Sequence, residues 1–320
     1  MEPIETVAMV GAGTMGSGVA QKAAQEGFQV QLIKNYGTHI GFNDSQFTDV
    51  GAKIINDEKE LLNNSNIIVQ LGLPKESQRS MMKENQTLIG TFNAYQNEDE
   101  IKNFLSKNIN VFSLELLPRI TRAQSMDVLS SQSNLAGYRA VIDSIFEFEK
   151  AVPMMMTAAG TVPAAKILVI GAGVAGLQAI ATAKRLGAIV SATDVRAASK
   201  EQVESLGGKF LIVEQSENME TSGGYAKEAS EDYKKKQQDL IHEHISKSDA
   251  VITTALIPGR PAPILIPTTM VESMKPGSVI VDMAVSQGGN CASSELNKII
   301  TKNGVKIVIL ILLVDVVDQH

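Results

Sequence analysis

At 320 residues, the chain is too long for one domain of ordinary size and suits two of about 150 residues each. It is 44% hydrophobic and 20% charged, and its net charge of −6 gives no basic footprint for a phosphate backbone, so we predict no nucleic-acid partner. The single cysteine, Cys291, excludes an internal disulfide and a thiolate metal site, so we predict no metal centre.

A glycine-rich motif opens the first predicted domain. A strand at Thr6–Val10 leads into Gly-x-Gly-x-x-Gly at residues 11–16, and a helix follows. This is the Rossmann fingerprint, whose glycines form the turn, admit a pyrophosphate and let the helix pack on the strand. An acid normally ends the second strand, Gln29–Ile33, but Lys34 and Asn35 stand there. The motif predicts a βαβ unit, and a structural role and a nucleotide-binding role both stay open.

Short apolar runs and polar stretches alternate through the rest of this domain, which is predicted at residues 1–133. Polar helical stretches separate the predicted strands, which are residues 52–55, 67–71, 87–92 and 110–113. Strands that alternate with helices predict a parallel sheet covered on both faces. Apolar residues then recur at helical spacing, so residues 134–152 are predicted to form a connecting helix.

A more complete fingerprint opens the second domain, predicted at residues 153–306. The strand Lys166–Ile170 leads into the glycine turn, and the next strand, Ile189–Thr193, ends at Asp194. A carboxylate at this point can accept both ribose hydroxyls and repels a 2′-phosphate, which favours NAD(H) over NADP(H). Arg196 is predicted either to cover the adenine ring or to be an exposed loop charge. The predicted cofactor-binding residues here are Gly171, Gly173, Val174, Ala175, Gly176, Asp194, Val195 and Arg196.

The ends of two later strands add to the predicted nucleotide site. Ala255 and Leu256 lie at the end of one of them, and Asn290 follows the other, Val279–Asp282. Ligands of doubly wound sheets bind at the carboxyl ends of the strands. We therefore expect Ala255, Leu256 and Asn290 to lie near the nucleotide.

Two segments leave alternatives open. Gly224 and Tyr225 lie in a charged stretch that predicts either a mobile flap over a bound ligand or a loop before a solvated helix. The apolar run at residues 307–314 is too short to span a bilayer and predicts a strand or terminal core. It belongs to a predicted C-terminal tail at residues 307–320.

A polar stretch at residues 118–132 lies between the two predicted nucleotide folds. It contains a guanidinium, amides, a carboxylate and hydroxyls, all of which can hold a carboxamide. The four histidines lie away from the strand ends, so the sequence shows no obvious proton donor or acceptor. A dehydrogenase of alcohols or amines needs such a group, whereas direct hydride transfer between two nicotinamide rings needs only precise placement.

The motifs that carry a family resemblance are residues 118–127, 129–131, 136–138, 157–160, 171–176, 224–228, 254–259 and 288–290. From about Tyr36 to about Ile307, the chain resembles the NAD(H)-binding component of proton-translocating NAD(P) transhydrogenases, the soluble domain of their alpha subunit. The resemblance implies that four residues surround the nicotinamide: Arg119, Gln124, Asp127 and Ser130. It also implies that Asp194 holds the adenosine ribose and that Tyr225 lies on a mobile loop.

The resemblance further implies an activity and partners. Hydride would pass from NADH on this chain to NADP⁺ on a separate NADP(H)-binding component, coupled to proton flow through a membrane-spanning component. The chain would then be a cytoplasmic, peripheral protein at the inner face of the membrane, and a homodimer. Both of its domains are predicted to be Rossmann-like α/β folds with doubly wound parallel sheets.

Other functions remain as alternatives. Alanine dehydrogenases share the two-domain layout, but their lysine, histidine and aspartate fall near Gly72, near Asn93 or Tyr95, and near Ser286, and all three are missing here. Residues 1–33 resemble the opening of 3-hydroxyacyl-CoA dehydrogenases, although no catalytic His–Glu pair accompanies them. A non-catalytic NAD-binding remnant or fusion is the remaining alternative.

Overall fold

Two units, joined in sequence within one helix, make up the described part of the chain. This computed structural model describes residues 6–10, 14–118, 120–196, 198–213, 231–257 and 259–309. One unit contains the described residues up to Leu129, and the other contains those from Ser130 onward.

The first unit contains a six-stranded parallel sheet. Its strands are β1 (Thr6–Val10), β2 (Gln29–Ile33), β3 (Lys53–Ile55), β4 (Ile67–Leu71), β5 (Thr87–Thr91) and β6 (Asn110–Ser113). Its helices are α1 (Thr14–Gln25), α2 (Asp44–Thr48), α3 (Glu58–Asn63), α4 (Glu76–Met81) and α5 (Glu98–Lys102). The strand order is β3-β2-β1-β4-β5-β6, so the direction of winding reverses between β1 and β4.

Helices cover both faces of this sheet. On one face, Ile68 and Leu88 pack in a cluster with Leu61 of α3. On the other face, Met9 and Phe47 of α2 belong to a second cluster. Because both faces are buried, the central strands read as nearly continuous apolar runs rather than as alternating ones.

The second unit contains a seven-stranded sheet and a separate hairpin. Its helices are α6 (Val128–Phe148, whose first two residues precede the division), α7 (Val174–Arg185), α8 (Ser199–Ser205), α9 (Glu231–Ile245) and α10 (Thr268–Ser273). Its strands are β7 (Met155–Thr157), β8 (Gly160–Val162), β9 (Lys166–Ile170), β10 (Ile189–Thr193), β11 (Lys209–Phe210), β12 (Ala250–Thr253), β13 (Val279–Asp282), β14 (Ile300–Lys302) and β15 (Val305–Ile309). The sheet order is β11-β10-β9-β12-β13-β15-β14, and only β14 pairs antiparallel among these strands.

Two apolar layers enclose the second sheet. The α6 and α7 helices contribute Val141 and Ile180 to the layer that contains Val169. The α9 helix contributes Ile241 to the opposite layer, which contains Leu168. Alternating strands and helices with helices on both faces confirm the predicted fold class of two doubly wound α/β units.

The long helix α6 begins at Val128, six residues before the predicted start of the connecting helix. Its first turns carry three serines, which have modest helix propensity and obscure the start in the sequence. Tertiary packing supplies the missing stability, because Gln132, Ala136 and Gly137 are all buried. No helix in the described part of the chain is long and apolar enough to cross a membrane.

Two further segments differ from the simplest sequence expectation. Residues 155–157 and 160–162 form the antiparallel hairpin of β7 and β8, which the sequence did not predict. The C-terminal apolar run was predicted to begin at residue 307, but its strand, β15, begins two residues earlier and spans Val305–Ile309. Residues 310–320 lie outside the described residues.

Candidate nucleotide-binding site

The carboxyl ends of β9, β10, β12 and β13 lie along one edge of the second sheet, since these strands are parallel. The winding reverses between β9 and β12. A crevice forms at such a switch point, and ligands of doubly wound sheets bind there. The fingerprint turn, residues 171–176, directly follows β9.

The first and third glycines of this turn have no room for a side chain. Gly171 has a φ of 98°, and a Cβ on it would lie 2.6 Å from Oγ1 of Thr254. That hydroxyl donates to the Gly171 carbonyl at 3.1 Å. A Cβ on Gly176 would lie 1.8 Å from the same carbonyl oxygen. These contacts bring α7 close to the strand, as the fingerprint predicts.

The middle glycine faces open space instead. A Cβ on Gly173 would meet nothing nearer than Nη2 of Arg196, at 3.8 Å. Gly173 caps α7 with no side-chain hydrogen bond to the helix. The unpaired N–H groups and positive dipole end of a helix attract an anion, so this end of α7 can receive a pyrophosphate. Val174 and Ala175 form the first turn of α7.

The carboxylate of Asp194, the residue after β10, is held by four described hydrogen bonds. Its Oδ2 accepts from the Ala172 N–H at 2.6 Å and from Nη2 of Arg196 at 2.8 Å. Its Oδ1 accepts from the N–H and the Nε of Arg196, each at 2.8 Å. The side chain of Arg196 is only 19% exposed, so the alternative of an exposed loop charge is wrong. Val195 packs with Val213 beside this turn.

Asn290 is fully buried and holds the loop that follows β12. Its Oδ1 accepts from the Ala255 N–H at 3.0 Å, and its Nδ2 donates to the carbonyls of Ala255 and Pro263 at 2.9 Å each. Its amide therefore fixes the backbone of Ala255. That backbone lies beside the glycine turn, because a Cβ on Gly171 would come within 3.3 Å of the Ala255 nitrogen. Leu256 follows Ala255 and is half-buried.

Asp282, the last residue of β13, holds the loop beside this site and was not predicted from the sequence. Its carboxylate is fully buried. Five donors bind it: Thr253 Oγ1 at 3.2 Å, Ala284 N–H at 2.9 Å, Asn290 N–H at 2.9 Å, Cys291 N–H at 2.9 Å and Ser294 Oγ at 2.8 Å. Asp282 thus orders the loop that contains Asn290. The only sequence signal was an acid that ends a wholly apolar strand.

Helix α6 packs against the start of the fingerprint helix. A Cβ on Gly137 would lie 2.1 Å from the carbonyl oxygen of Ala175, so only glycine permits this contact. Ser130 lies seven residues earlier on α6, which is about two turns, about 10 Å along the axis, and on the same side of the helix. The contact therefore fixes the position of Ser130 within the second unit.

The remaining predicted site residues lie before α6 or outside the described residues. Gln124 is exposed in a 3₁₀ turn, Thr121–Met126, and Asp127 is half-buried directly after it. Both belong to the first unit, whereas Ser130, which is half-buried, belongs to the second. Arg119, Gly224 and Tyr225 lie outside the described residues, as do the first glycines of the N-terminal fingerprint.

The histidines that the structure describes are not part of the strand ends that form this site. His39 is in a 3₁₀ turn of the first unit, and His242 and His244 are in the last turn of α9. Burial lowers the pKa of His244, which favours its neutral form. Along the described strand ends of the second unit, no histidine is placed to exchange a proton with a ligand.

Two family domains match the chain. The alanine dehydrogenase/PNT N-terminal domain matches residues 13–136, and the alanine dehydrogenase/PNT C-terminal domain matches residues 140–311. The match begins well before Tyr36, the start expected from the motifs, and extends into the segment that resembles 3-hydroxyacyl-CoA dehydrogenases.

Similar proteins carry transhydrogenase names. An NAD(P) transhydrogenase subunit alpha protein of Rhodospirillum rubrum is 52% identical over 297 residues, which are 91% of this chain and 77% of that protein. A protein of the same name from Rickettsia prowazekii is 48% identical over 294 residues, again 91% and 77% of the two chains. The crystal structure of transhydrogenase from Sinorhizobium meliloti has a TM-score of 0.81 at 45% identity and covers 95% of this chain and 86% of that one. The chain therefore belongs to the alanine dehydrogenase/PNT family of oxidoreductases, as its motifs predicted.

Proposed function

We propose that this chain is the NAD(H)-binding component of a proton-translocating NAD(P) transhydrogenase. The observation that carries the proposal is the complete dinucleotide turn of the second unit. It combines an open Gly173 at the start of α7 with Asp194 at the end of the next strand. The high identity to transhydrogenase alpha subunits supports the same function.

Each segment of the turn has a distinct role in binding. The N-terminal N–H groups of α7 receive the pyrophosphate, and the absence of a Cβ on Gly173 lets it approach the backbone. The carboxylate of Asp194 accepts the adenosine ribose hydroxyls and repels a 2′-phosphate, so this chain takes NAD(H) while NADP(H) binds to a partner component. Asn290 holds Ala255 in place beside the glycine turn.

The reduced nicotinamide ring, when bound, supplies a hydride that can pass directly to an oxidised nicotinamide ring. The protein then has to orient the ring and exclude water, and it need not move a proton. The family resemblance implies that Gln124, Asp127, Ser130 and Arg119 would hold the carboxamide of that ring. The lack of a histidine at the described strand ends of the second unit is in keeping with this chemistry.

The chain works in this proposal as a homodimer at the cytoplasmic face of the membrane, bound to NADP(H)-binding and membrane-spanning components. The dimer is supported by an exposed apolar surface on the second unit. On α6, Leu135 is 49% exposed and Phe146 is 77% exposed, and the two lie about three turns apart on one side of the helix. The hairpin residues Met156 and Val162 are also exposed. Exposed apolar patches commonly mark protein–protein contacts.

The test uses NADH that carries deuterium at the transferred position. Binding is measured first by the fluorescence of reduced nicotinamide, which no tryptophan of the chain obscures. The chain is then mixed with a purified NADP(H)-binding component and NADP⁺. We expect the deuterium to appear on the nicotinamide ring of NADPH. NADH binding without transfer would favour the non-catalytic alternative, and loss of the label to water would contradict direct transfer.

A further inference from the structure

The acceptor capacity of Asp194 is already filled by protein donors. A carboxylate offers about four lone-pair positions, and four described hydrogen bonds reach this one. Two come from backbone N–H groups, those of Ala172 and Arg196. The other two come from the Arg196 side chain, whose Nε binds Oδ1 and whose Nη2 binds Oδ2, each at 2.8 Å.

The two hydrogen bonds from the Arg196 side chain have the same pattern as those that a ribose diol would make. The two ribose hydroxyls would also donate one hydrogen bond to each carboxylate oxygen, so the diol and the guanidinium compete for the same positions. The backbone N–H bonds remain in either case. The guanidinium also lies beside the fingerprint turn, because its Nη2 is the nearest atom to the open side of Gly173.

We propose that Arg196 is a built-in competitor of the adenosine ribose that sets the affinity and the selectivity of the site. This inference rests on the proposed NAD(H)-binding function. To admit the nucleotide, the guanidinium leaves Asp194, which lowers the affinity for NADH. Its backbone keeps it beside Asp194, so the displaced charge lies near the ribose 2′-position, where it attracts a 2′-phosphate. Arg196 therefore weakens NADH binding and strengthens NADPH binding.

The opposite signs of these effects make the proposal testable with Arg196→Gln. We expect NADH to bind up to about tenfold more tightly, which is about 1.4 kcal/mol, and NADPH to bind several-fold more weakly. Arg185→Gln is the matched control, because it removes the same charge from an exposed position at the end of α7. Arg196→Lys keeps the charge but cannot bridge both carboxylate oxygens, so it should improve NADH binding and retain NADPH binding.

A second ligand separates this effect from damage to the fold. Reduced nicotinamide mononucleotide lacks the adenosine half, so Arg196→Gln should leave its affinity unchanged. Weaker binding of NADH by Arg196→Gln, or an unchanged NADH affinity, would overturn the competition. Weaker binding of all three ligands would show a structural role and also overturn it. If the unaltered chain bound no nucleotide, the proposed function would fail and this inference with it.

Discussion

The buried carboxylate of Asp282 provides a sharp test of how the strand-end loops are held. Replacing it by asparagine preserves the shape and turns one acceptor oxygen into an NH₂ donor. If the NH₂ faces the Oδ1 side, the Ala284 N–H loses its acceptor. If it faces the Oδ2 side, the N–H groups of Asn290 and Cys291 lose theirs. Neither orientation satisfies all of the buried donors.

The loss of stability in Asp282→Asn can be estimated from the number of donors left without an acceptor. A buried donor without an acceptor costs about 1–3 kcal/mol, and the bonds that survive Asp282→Asn lose the added strength of a charged acceptor. We therefore expect the free energy of unfolding to fall by about 2–4 kcal/mol, out of a typical total of about 5–15 kcal/mol. The loop that contains Asn290 should loosen first, because Asp282 holds its backbone.

Urea unfolding and amide hydrogen exchange measure the two effects of Asp282→Asn. Exchange should accelerate most at Asn290 and Cys291, and NADH affinity should fall because Asn290 no longer fixes Ala255. Asp239→Asn is the control, since Asp239 is exposed on α9. A loss of stability below about 0.5 kcal/mol, the range of ordinary surface changes, would refute the reasoning.

Four other substitutions test separate regions of the molecule. Asp194→Ala should weaken NADH binding by about 1–3 kcal/mol in calorimetry, because the ribose loses a charged acceptor, and an unchanged affinity would remove Asp194 from the site. Gln124→Ala should lower the hydride-transfer rate more than NADH affinity, whereas equal losses in both would indicate a uniform binding role. Gly137→Ala should lower the free energy of unfolding by about 1–3 kcal/mol in thermal unfolding, since its methyl group would lie 2.1 Å from the Ala175 carbonyl oxygen, and an unchanged stability would contradict that contact. Phe146→Asp should shift sedimentation from dimer to monomer with little change in unfolding temperature, and a retained dimer would place the interface elsewhere.

The sequence predicted the sheets well because their signal is local. Strands such as Ile67–Leu71 and Lys166–Ile170 are mostly apolar runs, and the structure places them at the predicted bounds. The fingerprint was also predictable, because close contacts with nearby atoms require glycine at Gly171 and Gly176. Parallel pairing then follows from the alternation of strands and helices.

The features that the sequence did not predict depend on contacts between distant residues. The α6 helix starts among serines and a glutamine, and its burial, which no local pattern reveals, stabilises that start. The hairpin of β7 and β8 is short and exposed, so it lacks the apolar alternation that marks a strand. Asp282 looks like an ordinary acid until four donors from the segment after β13 and one from the end of β12 converge on it.

The contact between Gly137 and Ala175 fixes both the rotation of α6 about its axis and its position along that axis. A slip of the helix by one residue along its axis would turn Ser130 through about 100° and carry it away from its present side. The close approach forbids such a slip, because any other residue would bring a Cβ into the Ala175 backbone. The direction of the Ser130 hydroxyl is therefore set about 10 Å along the helix, by the absence of a side chain on Gly137.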